Sequence, residues 1–260
     1  MIENIYHCGI QKSATQWIRN ILSDPLILER SNKKLYAPSK DYLWSKRDHD
    51  DLLAGFELNS IVTPLYIDYE SFLYMKKPDS YRAFWIMRDP RDVITSLYFS
   101  YTFSHPIIDE DHARDRKILQ SLNQEAGFNY FLEKAYDFYN AKNPLYTSLL
   151  SWLESKDNAS VRVVKYEDLI GARQKEIFSE LFQFLDIALS SWEVDKILDK
   201  YSFKAMTQDR DVGVENKKSH YRKGQEGDWK NYFSNEHKKR FKIATADLLI
   251  QLGYETDMDW

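Results

Sequence analysis

In YHCGIQKSATQWIRNIL, residues 6–22, an apolar run ends at Gly9, and Lys12, Ser13 and Thr15 follow at the mouth of a helical segment. A helix N-terminus offers unpaired N–H groups and the positive end of a dipole, so a strand–loop–helix turn carrying a lysine is a place for an anion. A nucleoside-triphosphate loop would read G-x-x-x-x-G-K-[ST], whereas Gly9 stands three residues before Lys12 and no glycine stands immediately before the lysine. The loop is short for a triphosphate with its Mg²⁺. A plain turn with Ser13 or Thr15 as helix cap is the competing reading.

Two further stretches carry charge at useful spacing. In FWIMRDPRDVITSLYFSY, residues 84–101, the strand Phe84–Met87 delivers Arg88 to its carboxyl end, Pro90 can open a helix, and Ser96 follows eight residues after Arg88. Arg88 and Ser96 could hold one anion, or Arg88–Asp92 and Arg91–Asp89 could be ordinary ion pairs. In HYRKGQEGDWKNYF, residues 220–233, Arg222 and Lys223 stand beside Gly224, which lets backbone approach a ligand. Its plainer reading is a basic loop.

The elements that must position these residues show in the hydrophobic pattern. Short apolar runs at Ile5–Ile10, Ser60–Thr63, Ala83–Met87 and Val161–Lys165 read as buried strands, each followed by helical character. Apolar residues recur every three or four positions in Thr15–Leu22, Arg91–Tyr101, Asn129–Tyr139, Lys175–Leu185 and His237–Leu252. This alternation predicts an α/β fold with a central parallel sheet flanked by helices. Ser104–Gly127 and Gln208–Asp228 read as irregular, and either could be a mobile lid. No repeat, linker or low-complexity tract divides the 260 residues, which predicts a single domain over 1–260.

Composition narrows the partners. With 36 Lys and Arg against 40 Asp and Glu, a net charge of −4 gives no basic field for nucleic acid. Cys8 is the only cysteine, the start MIENIYHCGI lacks the pattern of a secretion signal, and no stretch approaches the length of a membrane span. The expectation is a cytoplasmic protein with no membrane partner.

Together the three charged stretches resemble the sulfotransferases that use 3′-phosphoadenosine 5′-phosphosulfate (PAPS). KSATQW is similar to their 5′-phosphosulfate loop, RDPRDVITS to their 3′-phosphate motif and RKGQEGDWKNYF to their C-terminal 3′-phosphate loop, while VVKYEDL (163–169) and YSFKAM (201–206) resemble adenine-side segments. The resemblance implies a P-loop-like three-layer sandwich, with Lys12 and Ser13, Ala14, Thr15 and Gln16 holding the 5′-phosphosulfate and Trp17 stacking on adenine. It implies that Arg88, Ser96, Arg222, Lys223 and Gly224 hold the 3′-phosphate and that Tyr166 and Phe203 line the adenine pocket. Sulfuryl transfer asks mainly for in-line positioning and for positive charge at the bridging oxygen, which would be the task of Lys12. No metal-ligand spacing accompanies the loop, so a metal-independent reaction is expected.

The chain departs from the family pattern at three places. Ala14 stands where the loop usually has glycine, which a helical backbone would accept, and Gln16 stands for a hydroxyl residue. The family's general-base histidine is missing from SIVTPLYIDYESF, residues 60–72. Asp68, just beyond the second strand, is the first candidate base; its alternative role is to cap a helix Tyr69–Met75. His105 and His49 lie in stretches that could fold over an acceptor, and His7 lies inside the first strand, where packing is the simpler role. Acidic runs at Asp48–Asp51 and Asp109–Asp111 would select a cationic small-molecule acceptor, or are solvated loop charge. A P-loop small-molecule kinase and a non-catalytic PAPS-binding module remain alternatives.

Overall fold

The apolar runs all join one parallel sheet, because strands buried on both faces need no polar alternation. The computed structural model describes residues 2–38, 41–42 and 49–260, without the side chains of residues 49–51. In chain order the first half holds β1 (Asn4–Gly9), α1 (Thr15–Leu22), α2 (Pro25–Ser31), β2 (Lys34–Tyr36), α3 (His49–Ala54), β3 (Ser60–Tyr66), α4 (Tyr69–Tyr74), β4 (Tyr81–Met87) and α5 (Pro90–Phe99). Then come α6 (Glu110–Ser121), α7 (Gln124–Tyr130), α8 (Pro144–Leu153), β5 (Val161–Lys165), α9 (Tyr166–Ile170), α10 (Gln174–Phe184), α11 (Ser191–Lys200), α12 (Phe203–Met206), α13 (Asn235–Thr245) and α14 (Leu248–Gln251). The sheet order is β2-β3-β1-β4-β5 and every pairing is parallel. Gly9 at the end of β1 lies level with Tyr66 of β3 on one side and Ile86 of β4 on the other. The loop after β1 therefore leaves from the middle of the sheet's carboxyl edge.

Contacts divide the chain into two compact units, Met1–Arg88 with Ser148–Met206, and Asp89–Thr147 with Thr207–Trp260. The first unit contains the whole sheet. Its core joins Ile5, Ile61, Phe84 and Ile86 to the apolar faces of α1, α10 and α11 through Ile18, Phe178, Leu181 and Ile197. At 3.6 residues per turn, those helices present one apolar stripe each to the sheet. Elsewhere in this unit Trp85 and Trp152 stack with centroids 5.8 Å apart, and the Trp152 indole donates to Ile67 O at 2.9 Å. The second unit packs largely on aromatic rings, with Phe128 edge-on to Tyr98 at 5.3 Å and Phe233 edge-on to Phe241 at 6.0 Å.

Five expectations need correction. The stretch 104–127, read as an irregular lid, contains α6 and the start of α7. Polar anchors that periodicity does not register hold α6: Asp109 caps it at His112 N, the His112 ring stacks 3.9 Å from Tyr101, and Asp115 accepts from Tyr130 Oη at 2.8 Å. The acidic run Asp109–Asp111 is thus the cap and first turn of α6, where negative charge suits the helix dipole. The helix expected over Asn129–Tyr139 begins earlier, capped by Asn123 at Ala126 N, and passes into a π-helical turn at Phe131–Ala135. The segment His237–Leu252 is two helices, interrupted where Ala246 takes a positive φ of 49°. β3 runs on through Pro64 to Tyr66, and β2 is too short to signal itself.

His7 is packed, as the simpler reading had it. Its Nδ1 meets Thr63 Oγ1 at 2.7 Å, its ring stacks on Phe84 with centroids 4.9 Å apart, and Nε2 has no hydrogen-bond partner among the described residues. Burial pulls its pKa from 6.5 down to about 3. A histidine that is neutral when folded but protonates when unfolded supports the fold fully above its unfolded pKa, and that support drains away as pH falls toward the folded value. Urea unfolding should therefore show stability falling by about 1.4 kcal/mol per pH unit on account of this group, from pH 6.5 toward 3. His7→Gln should remove that part of the slope; an unchanged slope would contradict the assignment.

Candidate active site

The loop between β1 and α1 closes tightly on Gly9. A Cβ there would lie 2.9 Å from Thr15 Cγ2 and 3.2 Å from Ser13 Oγ, so only glycine lets the loop fold back this far. Lys12 and Ala14 both take φ of 66°. The expectation that Ala14 is helical is therefore corrected: Ala14 is the left-handed N-cap of α1 and makes no side-chain cap hydrogen bond. Left-handed backbone costs a residue with a Cβ about 1–2 kcal/mol, which explains why glycine suits this position better.

Neither hydroxyl of the loop serves as a conventional cap. Ser13 is fully buried and donates from Oγ to Ile10 O at 2.7 Å, while Thr15 Oγ1 shares a hydrogen bond of 2.9 Å with Tyr66 Oη. Gln16 also bonds Tyr66 through its side chain, and Gln11 Nε2 donates to Asp41 Oδ2 at 2.7 Å. Burial raises the Tyr66 hydroxyl pKa above its ordinary value despite the bond to Thr15, so the group stays protonated. The α1 N-terminus is left with amide donors that no side chain of its own caps, and Lys12 stands beside them.

Arg88, at the end of β4, holds this loop. Its Nη1 donates to Lys12 O at 2.9 Å, and its guanidinium lies 4.5 Å from the centroid of the Tyr166 ring. Tyr166 is the first residue of α9, directly after β5, and is buried. Two adjacent strand ends and the loop are thereby joined through one side chain. Trp17 donates from Nε1 to Tyr201 O at 2.7 Å and packs edge-on to Phe178, which commits one edge of the indole to the core. Phe203 opens α12 and is half-buried.

In the second unit, α5 starts on Asp89, whose carboxylate accepts from Arg91 N, with Pro90 in its first turn. Every residue of this helix is buried except Ser96. The Arg91–Asp89 pair forms at 2.7 Å, and Arg91 also meets Glu255 and lies 3.9 Å from the centroid of the Trp229 ring. Asp92 takes a role its sequence position did not suggest, accepting from Gly227 N at 2.7 Å and Trp229 N at 2.9 Å. Arg222 pairs with Glu215 at 2.6 Å and with Asp228, and Lys223 meets Asp228 at 2.7 Å. Burial pushes the Asp228 pKa up, but Lys223 and Arg222 more than offset this and hold it below the ordinary value. Among the described residues Arg222 Nε is buried with no hydrogen-bond partner, and Gly224 uses a φ of 67° that glycine favours.

The candidate bases separate. Asp68 caps α4, with Oδ1 accepting from Ser71 N at 2.8 Å and Oδ2 from Ser71 Oγ at 3.1 Å. Both oxygens thus serve the capping alternative. His105 is exposed and its Nδ1 lies 2.8 Å from Pro106 O. Asp48 and the side chains of His49, Asp50 and Asp51 lie outside the described residues. Among the described residues no helix is long and apolar enough to cross a membrane. Nothing in residue type or spacing marks Tyr66 and Asp41, because their approach to the loop depends on how β2 and β3 lie beside β1.

Residues 4–253 match the sulfotransferase domain family. The chain belongs to the sulfotransferase family. Its relatives include sulfotransferase 6B1 of Danio rerio, 24% identical over 195 residues, which cover 70% of this chain and 57% of that protein. A 3-alpha-hydroxysteroid sulfotransferase of Cavia porcellus is 25% identical over 244 residues, covering 86% of this chain and 75% of that protein. The structure of mouse sulfotransferase SULT7A1 complexed with PAP superposes with a TM-score of 0.63 at 18% identity, covering 95% of this chain and 84% of that one. This sulfotransferase shares that fold, the P-loop-like parallel sheet flanked by helices.

Two substitutions test the local geometry. Ala14→Gly should be neutral or stabilising by up to about 1 kcal/mol in urea unfolding, whereas Ala14→Val should destabilise, since a β-branched residue resists left-handed backbone. Asp68→Ala should lower stability by about 0.5–2 kcal/mol, the usual share of an N-cap, while Asp68→Asn should keep both stability and turnover because asparagine caps as well. Lost turnover in a stable Asp68→Asn protein would restore Asp68 as base.

Proposed function

We propose that this chain, acting as one catalytic domain over residues 1–260, moves the sulfuryl group of PAPS to a hydroxyl or amine of a small-molecule acceptor by metal-independent in-line transfer. The observation that carries the reading is the short, uncapped, left-handed loop with Lys12 at its turn and Arg88 bonded to Lys12 O. A phosphate bearing a single sulfuryl group is shorter than a triphosphate and suits a short loop. The donors proposed for it are the amides of Ser13, Ala14, Thr15 and Gln16, with Lys12 neutralising the bridging oxygen as the S–O bond breaks.

The remaining roles are proposed residue by residue. Arg88, Ser96, Arg222, Lys223 and Gly224 take the 3′-phosphate, and Trp17, Tyr166 and Phe203 take adenine. Support comes from Ser96, half-buried where the rest of its helix is buried, from Arg222 Nε, which has no hydrogen-bond partner among the described residues, and from the left-handed Gly224. The hydroxysteroid acceptor named for the guinea pig relative supports a small hydroxylated acceptor here. A cationic acceptor keeps support only from the run Asp48–Asp51. Cys8, buried and unpaired with another cysteine, supports a cytoplasmic setting.

Turnover of PAPS against a panel of alcohols, phenols and amines tests the reading. Lys12→Ala should abolish turnover through kcat while PAP binding stays measurable, because the lysine acts on charge that exists only in the transition state. EDTA should leave the wild-type rate unchanged. A Lys12→Ala protein with normal kcat and raised KM, or EDTA inhibition reversed by Mg²⁺, would contradict the proposal.

A further inference from the structure

The sheet order sets which strand ends flank the loop on each side. Arg88 and Tyr166, proposed to serve the 3′-phosphate and adenine, stand at the ends of β4 and β5, on one side of β1. The opposite side of β1 belongs to β3 and then β2. If the nucleoside lies over the β4–β5 side, the sulfuryl end of the donor points toward the β3–β2 side.

That side holds a carboxylate in contact with the loop. Asp41 follows β2 by five residues and accepts from Gln11 Nε2 at 2.7 Å, one residue before Lys12. Tyr66 ends β3, bonds Thr15, and lies near enough to Asp41 to feel its charge. A negative group beside a loop proposed to bind an anion is repelled by the bound donor, a cost in affinity that proton abstraction would offset. Tyr66 stays protonated and suits positioning rather than abstraction, and Asp68 spends both oxygens on Ser71.

We propose that Asp41 is the general base of sulfuryl transfer, held in place by Gln11, with Tyr66 as a positioning residue; this rests on the sulfotransferase reading above. Asp41 accepts the proton of the acceptor hydroxyl or amine as the acceptor atom bonds to sulfur. The bond from sulfur to the bridging oxygen breaks, and its electron pair stays on the 5′-phosphate of PAP. No redox partner is needed.

Asp41→Asn keeps the size of the side chain and an oxygen for Gln11 but removes basicity. With transfer followed as PAP release, which also registers water as acceptor, kcat should fall about 10²–10⁴-fold. Calorimetric affinity for PAP should hold or improve, and the acidic limb of the kcat–pH profile should disappear. The deficit should shrink when an acidic nitrophenol replaces unsubstituted phenol, since an acceptor already ionised needs no base. Unchanged kcat, or an equal deficit with both phenols, overturns the assignment. If the wild-type protein bound no PAP, the underlying sulfotransferase reading would fall and this proposal with it, and calorimetry reports that separately from kcat.

Discussion

One hydrogen bond fixes the geometry from which the first unit's chemistry follows, that from Arg88 Nη1 to Lys12 O. The loop after β1 places two residues with side chains in left-handed backbone, a conformation that persists only where its surroundings enforce it. Arg88 supplies part of that enforcement from the next strand, Gly9 supplies the space, and Tyr66 pins Thr15 from the strand on the other side. A charge-assisted bond to a carbonyl contributes more than a neutral one, and here it is sheltered by the Tyr166 ring. The strain thus falls at the N-terminus of α1, where Ala14 offers no side-chain cap to the backbone amides.

The second unit uses charge differently. Asp92 organises the turn at Gly227 and Trp229 through backbone amides, and Asp228 gathers Arg222 and Lys223. Asp228 holds both cations and Glu215 also pairs with Arg222, which keeps the basic loop ordered, while among the described residues Arg222 Nε, one of a guanidinium's five donors, is left without a hydrogen-bond partner. Arg91, three residues after Arg88, is instead structural, flanked by Trp229 and Trp260 and paired with Asp89.

Much of this was legible in the residues. Strand runs such as VRVVK and the helix over Thr15–Leu22 are fixed by local pattern, and they emerge at the same bounds in the structure. The charged motifs were visible because glycine, lysine and arginine at strand–helix turns have few other reasons to recur. What stayed hidden depends on contacts between distant segments. Helix α6 is nearly all polar and is held by Tyr101 and Tyr130, so no period in its own sequence announces it. A helical backbone would accept Ala14, and only the loop's closure on Gly9 demands the left-handed one. Asp41 and Tyr66 become neighbours of the loop only through the placement of β2 and β3 beside β1.

The central claim is that Arg88 and the strained loop together form a site for a nucleotide phosphorylated at both ends of its ribose. Calorimetry of PAP against 5′-AMP, which lacks only the 3′-phosphate, tests it most directly, in the wild-type protein and in Arg88→Ala. The account predicts that wild-type protein binds PAP more tightly by about 1.5–3 kcal/mol, roughly tenfold or more, and that Arg88→Ala loses most of this preference. Equal affinity for the two nucleotides, or a preference that survives Arg88→Ala intact, would contradict it.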